Sequence, residues 1–145
     1  MRFIAIVTLT SLVLVTAGTA QQTGDDALPK GFKTTPVLKS VQTAGNQKIE
    51  YPKAGQAEVV SVLGQLEPGG RTARHQHPVP VFVYVLEGTL TVQSDGGQSR
   101  EYAPGQAYME HINHWHQALN NGAAPVKILV VFMAAEGKPT TVNAK

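Results

Sequence analysis

The sequence predicts an all-β domain, an antiparallel sandwich or barrel, on three observations. Short segments dense in β-branched residues follow one another closely, turns rich in Gly, Pro, Asn and Asp separate them, and no capped segment of helical period occurs after residue 36. The expected strands cover residues 37–41, 48–51, 57–66, 72–77, 81–86, 89–94, 98–102, 106–110, 115–119 and 126–133. Between them stand Glu67 to Gly70, Glu87 and Gly88, Asp95 to Gly97, Ala103 to Gly105 and Asn120 to Gly122, all turn-forming combinations.

Two segments precede the domain. Residues 1–20 combine a basic start at Arg2, an apolar run from Phe3 to Val15, and small residues at Gly18 and Ala20. This is the pattern of a secretory signal peptide cut after Ala20; the competing reading, an uncleaved anchor, needs about 20 apolar residues, more than the run supplies. The mature protein is therefore expected in a bacterial periplasm and free of the membrane. Residues 21–36 are polar and rich in Gly, Pro, Asp and Lys, as in a flexible arm, and the domain is expected over residues 37–145.

Composition narrows the chemistry. The chain has no cysteine, which excludes a disulfide framework, a thiolate nucleophile and a thiolate zinc site, so stability rests on a packed core. The formal charge is +2, from 12 basic and 10 acidic residues, and falls to +1 when Arg2 is removed with the leader. The basic residues are scattered rather than gathered among aromatics, so nucleic acid is not an expected partner. In residues 81–86 both alternating faces are apolar, Phe82, Tyr84 and Leu86 opposing Val81, Val83 and Val85. Such a strand is buried on both sides or covered by a second subunit.

All five histidines fall in two clusters, His75-Gln-His77 and His111-Ile-Asn-His114-Trp-His116. Histidines at i and i+2 of a strand share one face and form a chelating pair. Gly70 to Pro78 followed by Tyr84-Val-Leu-Glu-Gly88 resembles the first motif of the cupin superfamily. Pro104-Gly105 followed by His116-Gln-Ala-Leu-Asn120 resembles the second. The resemblance implies a jelly-roll barrel in which His75, His77 and His116 hold one divalent metal ion, Fe, Mn, Ni, Cu or Zn, and it implies a homodimer, with the doubly apolar strand at residues 81–86 as the candidate surface. In two respects the chain departs from the pattern: His111 and Asn113 replace the Pro and Gly expected in the second motif, and Val81 occupies the position of the family's glutamate ligand. Glu110 shares strand parity with Tyr108 and is the candidate to replace it, as fourth ligand or general base. The competing reading is a cupin that has lost its metal and keeps the histidines as satisfied polar residues. His111 and His114 are expected at the rim.

The function expected from these residues is a periplasmic metal-binding cupin. It could be an enzyme of dioxygenase, isomerase or decarboxylase type acting on a small polar or anionic molecule, with dioxygenase-like chemistry favoured. The alternatives are a metal- or ligand-binding module without turnover, and a structural envelope role. Nothing in the residues selects among reactions, since fold does not determine function.

Overall fold

The computed structural model describes residues 31–145, and residues 35–145 form a compact unit. The expected signal peptide and residues 21–30 of the expected arm lie outside the described residues. Residues 31–36 are exposed and contain no strand.

Among the described residues the regular structure is entirely β. The strands are β1 (Ala57–Leu66), β2 (His75–Gln76), β3 (Val81–Glu87), β4 (Leu90–Ser94), β5 (Ser99–Tyr102), β6 (Ala107–Met109), β7 (His116–Leu119), β8 (Val126–Ala135) and β9 (Val142–Asn143). They form a four-stranded sheet in the order β1-β8-β3-β6 and a five-stranded sheet in the order β5-β4-β7-β2-β9. Every strand pair is antiparallel, and the fold is a jelly-roll barrel.

Alternation decides what each sheet places inside. On β3, Val81, Val83 and Val85 are buried while Phe82 and Tyr84 are half-buried on the outer face. The inner valines meet Leu90, Ala118 and Val126 of other strands in one core. Each fully buried Val or Leu contributes about 1.5–3 kcal/mol relative to exposure. The β3–β4 turn needs Gly88: its φ is +70°, and a Cβ there would lie 2.6 Å from the Pro125 carbonyl oxygen.

Two expected strands do not form. Residues 37–41 and 48–51 contribute only an isolated bridge between Gln42 and Lys48, and Val41 is 79% exposed. The intervening turn, with Asn46 at φ +62°, places Ala44 so that its N–H donates to the Met109 carbonyl at 2.8 Å. The segment thus covers the free edge of β6, which would otherwise expose unpaired backbone groups. Conversely, β9 was not expected; at two residues it carries no apolar pattern.

Candidate metal centre

The site is assembled from β2, β6 and β7. His75 lies on β2 directly opposite His116 on β7, and His77, two residues on, shares the inward face with His75. Ring centroids are 4.8 Å apart for His75 and His77, 4.4 Å for His75 and His116, and 5.3 Å for His77 and His116. His77 and His116 are buried and His75 is half-buried.

Each imidazole is oriented by its other nitrogen. Nδ1 of His75 lies 2.7 Å from the Ala73 carbonyl oxygen, Nδ1 of His77 2.8 Å from that of Thr140, and Nδ1 of His116 2.9 Å from that of His114. A carbonyl oxygen only accepts, so Nδ1 carries the hydrogen in all three rings. The neutral imidazole then leaves its Nε2 lone pair free, as a metal ligand requires.

Glu110 follows β6 by one residue, and its N–H donates to the Val81 carbonyl at 2.9 Å. Its side chain points inward like that of Tyr108. Oε2 lies 3.0 Å from Nε2 of His77 and 3.5 Å from Nε2 of His116, while Oε1 accepts a bond from the Tyr108 hydroxyl at 3.3 Å. The 3.0 Å approach of His77 satisfies an ion-pair distance, yet a neutral ring already protonated on Nδ1 has no Nε2 hydrogen to offer. Glu110 Oε2 and His116 Nε2 are accordingly buried without a hydrogen-bond partner.

Electrostatics respond to this crowding of acceptors. Burial raises the Glu110 carboxyl, but His116 and His77 outweigh it and bring it down to about 2. Burial lowers His116, but the Glu110 carboxylate outweighs it and the ring ends above its ordinary value of 6.5. His75 falls below 6.5, first through burial and then through the neighbouring His116 and His77. The Tyr108 hydroxyl is pushed well above 10 by burial and by Glu110. The Glu110 carboxylate thus favours positive charge at this cluster.

A metal ion fits this donor set. The candidate ligand atoms of the three histidines lie within 4.8 Å of one another. Bonds of about 2.0–2.1 Å place two ligating nitrogens at most roughly 4.2 Å apart, so the rings at the wide end of that range would close in slightly.

A cavity of about 30 Å³ adjoins the centre, with Arg100, Tyr102, Tyr108, Glu110, His111 and His116 in its wall. Tyr102 stacks on Tyr108 with centroids 3.8 Å apart. The four expected residues His75, His77, His116 and Glu110 therefore come together. His114 supplies its backbone carbonyl to the His116 ring, and its own ring lies against His111 at 5.2 Å. Sequence reasoning missed the part of Arg100 and Tyr102, which reach the cavity wall from β5, where Arg100 pairs with Val92 and Tyr102 with Leu90; Arg100 stays exposed. His111 also lines this cavity.

Residues 62–132 match the cupin domain family model. The match covers just under half of the chain. Over 61 residues it is 39% identical to an (R)-mandelonitrile lyase of Granulicella tundricola, covering 41% of this chain and 43% of that protein; this chain thus spans less than half of that relative. Among solved structures, it resembles the polyketide cyclase RemF of Streptomyces resistomycificus with a TM-score of 0.52 and 22% identity, over 75% of this chain and 78% of that one. It resembles an oxalate decarboxylase of Lactobacillus farciminis with a TM-score of 0.52 and 20% identity, over 61% of this chain and 27% of that one. These two structures share the fold.

Proposed function

We propose that the protein is a periplasmic, mononuclear metal-dependent enzyme acting on a small oxygen-bearing molecule, with His75, His77 and His116 as metal ligands. The observation that carries this reading is the convergence of lone pairs. Three imidazoles have their Nε2 atoms freed by Nδ1 hydrogen bonds to backbone carbonyls, and those of His77 and His116 lie 3.0 and 3.5 Å from a buried Glu110 oxygen that has no hydrogen-bond partner. Leaving such groups unpaired costs about 1–3 kcal/mol each, and a bound cation removes that cost. A divalent ion of Fe, Mn, Ni, Cu or Zn would supply Lewis acidity toward a substrate oxygen.

The remaining work falls to the chain. Glu110 is ionised across the physiological range and is oriented by the Tyr108 hydroxyl, which suits it to completing the ligand set or to accepting a proton from substrate at Oε2. Arg100, in the cavity wall, suits a polar or anionic substituent. The partial likeness to a mandelonitrile lyase makes cyanohydrins the first substrates to try, alongside small hydroxy acids.

Two copies pair through the outer face of the four-stranded sheet. Val59 and Leu63 of β1 are 71% and 77% exposed there, in register with Met133 and Leu129 of β8. Phe82 and Tyr84 of β3 continue the same apolar face.

The test is metal analysis of protein purified from its own cells, followed by turnover assays. One equivalent of metal in the wild type, lost in His116→Ala, together with aldehyde release from mandelonitrile or consumption of a hydroxy acid, supports the enzyme reading. Oxygen uptake with any of these substrates would assign dioxygenase-type chemistry instead. Stoichiometric metal without turnover favours a binding module, and metal-free protein overturns the centre altogether.

A further inference from the structure

The strand that carries His75 is only two residues long and sits between β7 and β9. On the β9 side, His75 pairs with Asn143 and Gln76 with Val142, and the Ala144 N–H donates to the Arg74 carbonyl at 2.9 Å. Just before β9, two groups of the same segment meet His77. Its Nδ1 lies 2.8 Å from the Thr140 carbonyl oxygen and 3.2 Å from Thr141 Oγ1. Because the carbonyl can only accept, the hydrogen belongs to Nδ1, and the threonine hydroxyl serves as a second acceptor of a shared bond.

His75 and His116 are held differently. Each bonds a carbonyl only two residues away in its own strand neighbourhood, Ala73 and His114 respectively. Those contacts form whenever the local backbone does. His77 depends on a segment more than sixty residues distant in sequence, and its orientation therefore requires that this segment be docked.

We propose that residues 140–144 act as a strap that positions His77 for metal binding, with Thr140 and Thr141 as positioning residues that set its tautomer and aim Nε2 at the centre. This rests on the metal-site reading above. Undocking the strap frees the His77 ring to rotate or to shift its hydrogen to Nε2, and either change removes a ligand while the barrel core of Val81, Val83, Val85, Leu90 and Val126 stays intact. Groups that orient a ligating imidazole typically account for 10- to 100-fold in metal affinity, and the strap should fall in that range.

The experiment uses four variants: deletion of residues 140–145, Ala144→Pro, Thr141→Val and Thr141→Ser. Ala144→Pro removes the hydrogen bond to Arg74 without shortening the chain. Long-range proton–nitrogen NMR on metal-free protein at pH 8 reads the His77 tautomer, and a cobalt(II) titration followed by absorbance reads affinity. The expected result is Nδ1-protonated His77 in the wild type, a mixed tautomer in the deletion and in Ala144→Pro, and cobalt affinity reduced roughly 10- to 100-fold in both. Thr141→Val should weaken binding by a smaller factor, and Thr141→Ser should restore it. If the deletion fails to fold, Ala144→Pro and Thr141→Val decide the matter. An unchanged tautomer with affinity within twofold of wild type in these variants overturns the proposal. A wild type that takes up no cobalt overturns the metal reading instead, while the tautomer measurement still reads the strap's hold on His77.

Discussion

Glu110 stands across the strand pair from Val81, its N–H bonded to the Val81 carbonyl at 2.9 Å. Phe82 pairs with Met109 in the adjoining register position, so the two residues share the inward face. The carboxylate that the cupin pattern places at position 81 is therefore available from the neighbouring strand, one pairing step away. This relationship predicts a transplant. Glu110→Val should abolish tight metal binding, and the double variant Val81→Glu/Glu110→Val should recover much of it, because the new carboxylate enters the same pocket. Val81→Glu alone crowds two carboxylates into one buried site and should cost the metal-free protein about 3–5 kcal/mol. Metal titration and thermal unfolding of the three variants check this; a double variant no better than Glu110→Val would show that position 81 cannot serve the centre.

His116 links two parts of the cluster: it opposes His75 in register and approaches Glu110 at 3.5 Å. His116→Ala should lower metal affinity by more than the roughly 100-fold that loss of an outer hydrogen-bond partner causes. It should also release Glu110 from one of the two rings that depress its carboxyl pKa. Equilibrium dialysis against cobalt(II) or zinc measures the first effect, and carboxyl NMR of metal-free protein measures the second as an upward move from about 2.

In metal-free protein His116 should titrate above His75. His116 is raised above 6.5 because Glu110 outweighs its burial, and His75 is lowered because burial and two neighbouring rings oppose its charge. The signs for stability differ. The contribution of His116 is fully present below pH 6.5 and is lost as pH rises through its higher folded value. His75 works the other way, since below pH 6.5 the unfolded chain takes up a proton that the folded ring resists. Glu110 adds stability above its ordinary 4.5 that is lost only as pH falls toward about 2. Because the histidine contributions oppose, NMR titration of each ring is the informative measurement. Glu110→Gln should bring His116 down while leaving His75 below 6.5; a His116 that does not move would exclude Glu110 as the cause.

Much of this site was legible in the chain because its geometry is local. The period-two spacing of His75 and His77, and the shared parity of Tyr108 and Glu110, each follow from strand alternation alone. The strand from 57 to 66 was equally plain, having both an apolar pattern and turn residues at its end. What could not be read depends on pairing across distance. Thr140 bonds His77 across 63 residues through a backbone carbonyl, which leaves no mark on residue type. Residues 37–51 show the converse: β-branched content promised strands, but the segment turns back at Asn46 and meets the edge of β6 through the Ala44 N–H instead of a ladder.

Asn120 should prove structural rather than chemical. It is 1% exposed, and its Nδ2 donates to the carbonyls of Leu66 at 2.9 Å and Ala124 at 2.8 Å while its Oδ1 accepts from the Gly122 N–H at 2.9 Å. These bonds tie the end of β7 to the end of β1 and to the turn before β8. Asn120→Ala leaves two carbonyls and one N–H without partners, at about 1–3 kcal/mol for each that water cannot reach. Thermal unfolding should show a loss of at least about 2 kcal/mol, while the metal stoichiometry of the folded fraction stays unchanged. Loss of metal without loss of stability would place Asn120 in the centre after all.

The outer face of the four-stranded sheet supplies the last prediction. Val59 and Leu63 alternate with Ser61 on β1 and are largely exposed, and their register partners Met133 and Leu129 continue the apolar surface onto β8. The doubly apolar strand at Val81–Glu87 enters this surface through Phe82 and Tyr84, which are half-buried, so the most exposed contacts belong to β1 and not to β3. A pair of charges at the most exposed positions, Val59→Lys with Leu63→Lys, removes the driving force for association without touching the core, because both side chains point away from it. Sedimentation at micromolar concentration should give a dimer for the wild type and a monomer for the double variant, with thermal stability of the variant made independent of concentration. A wild type that sediments as a monomer at that concentration would leave this face without a second copy to cover it.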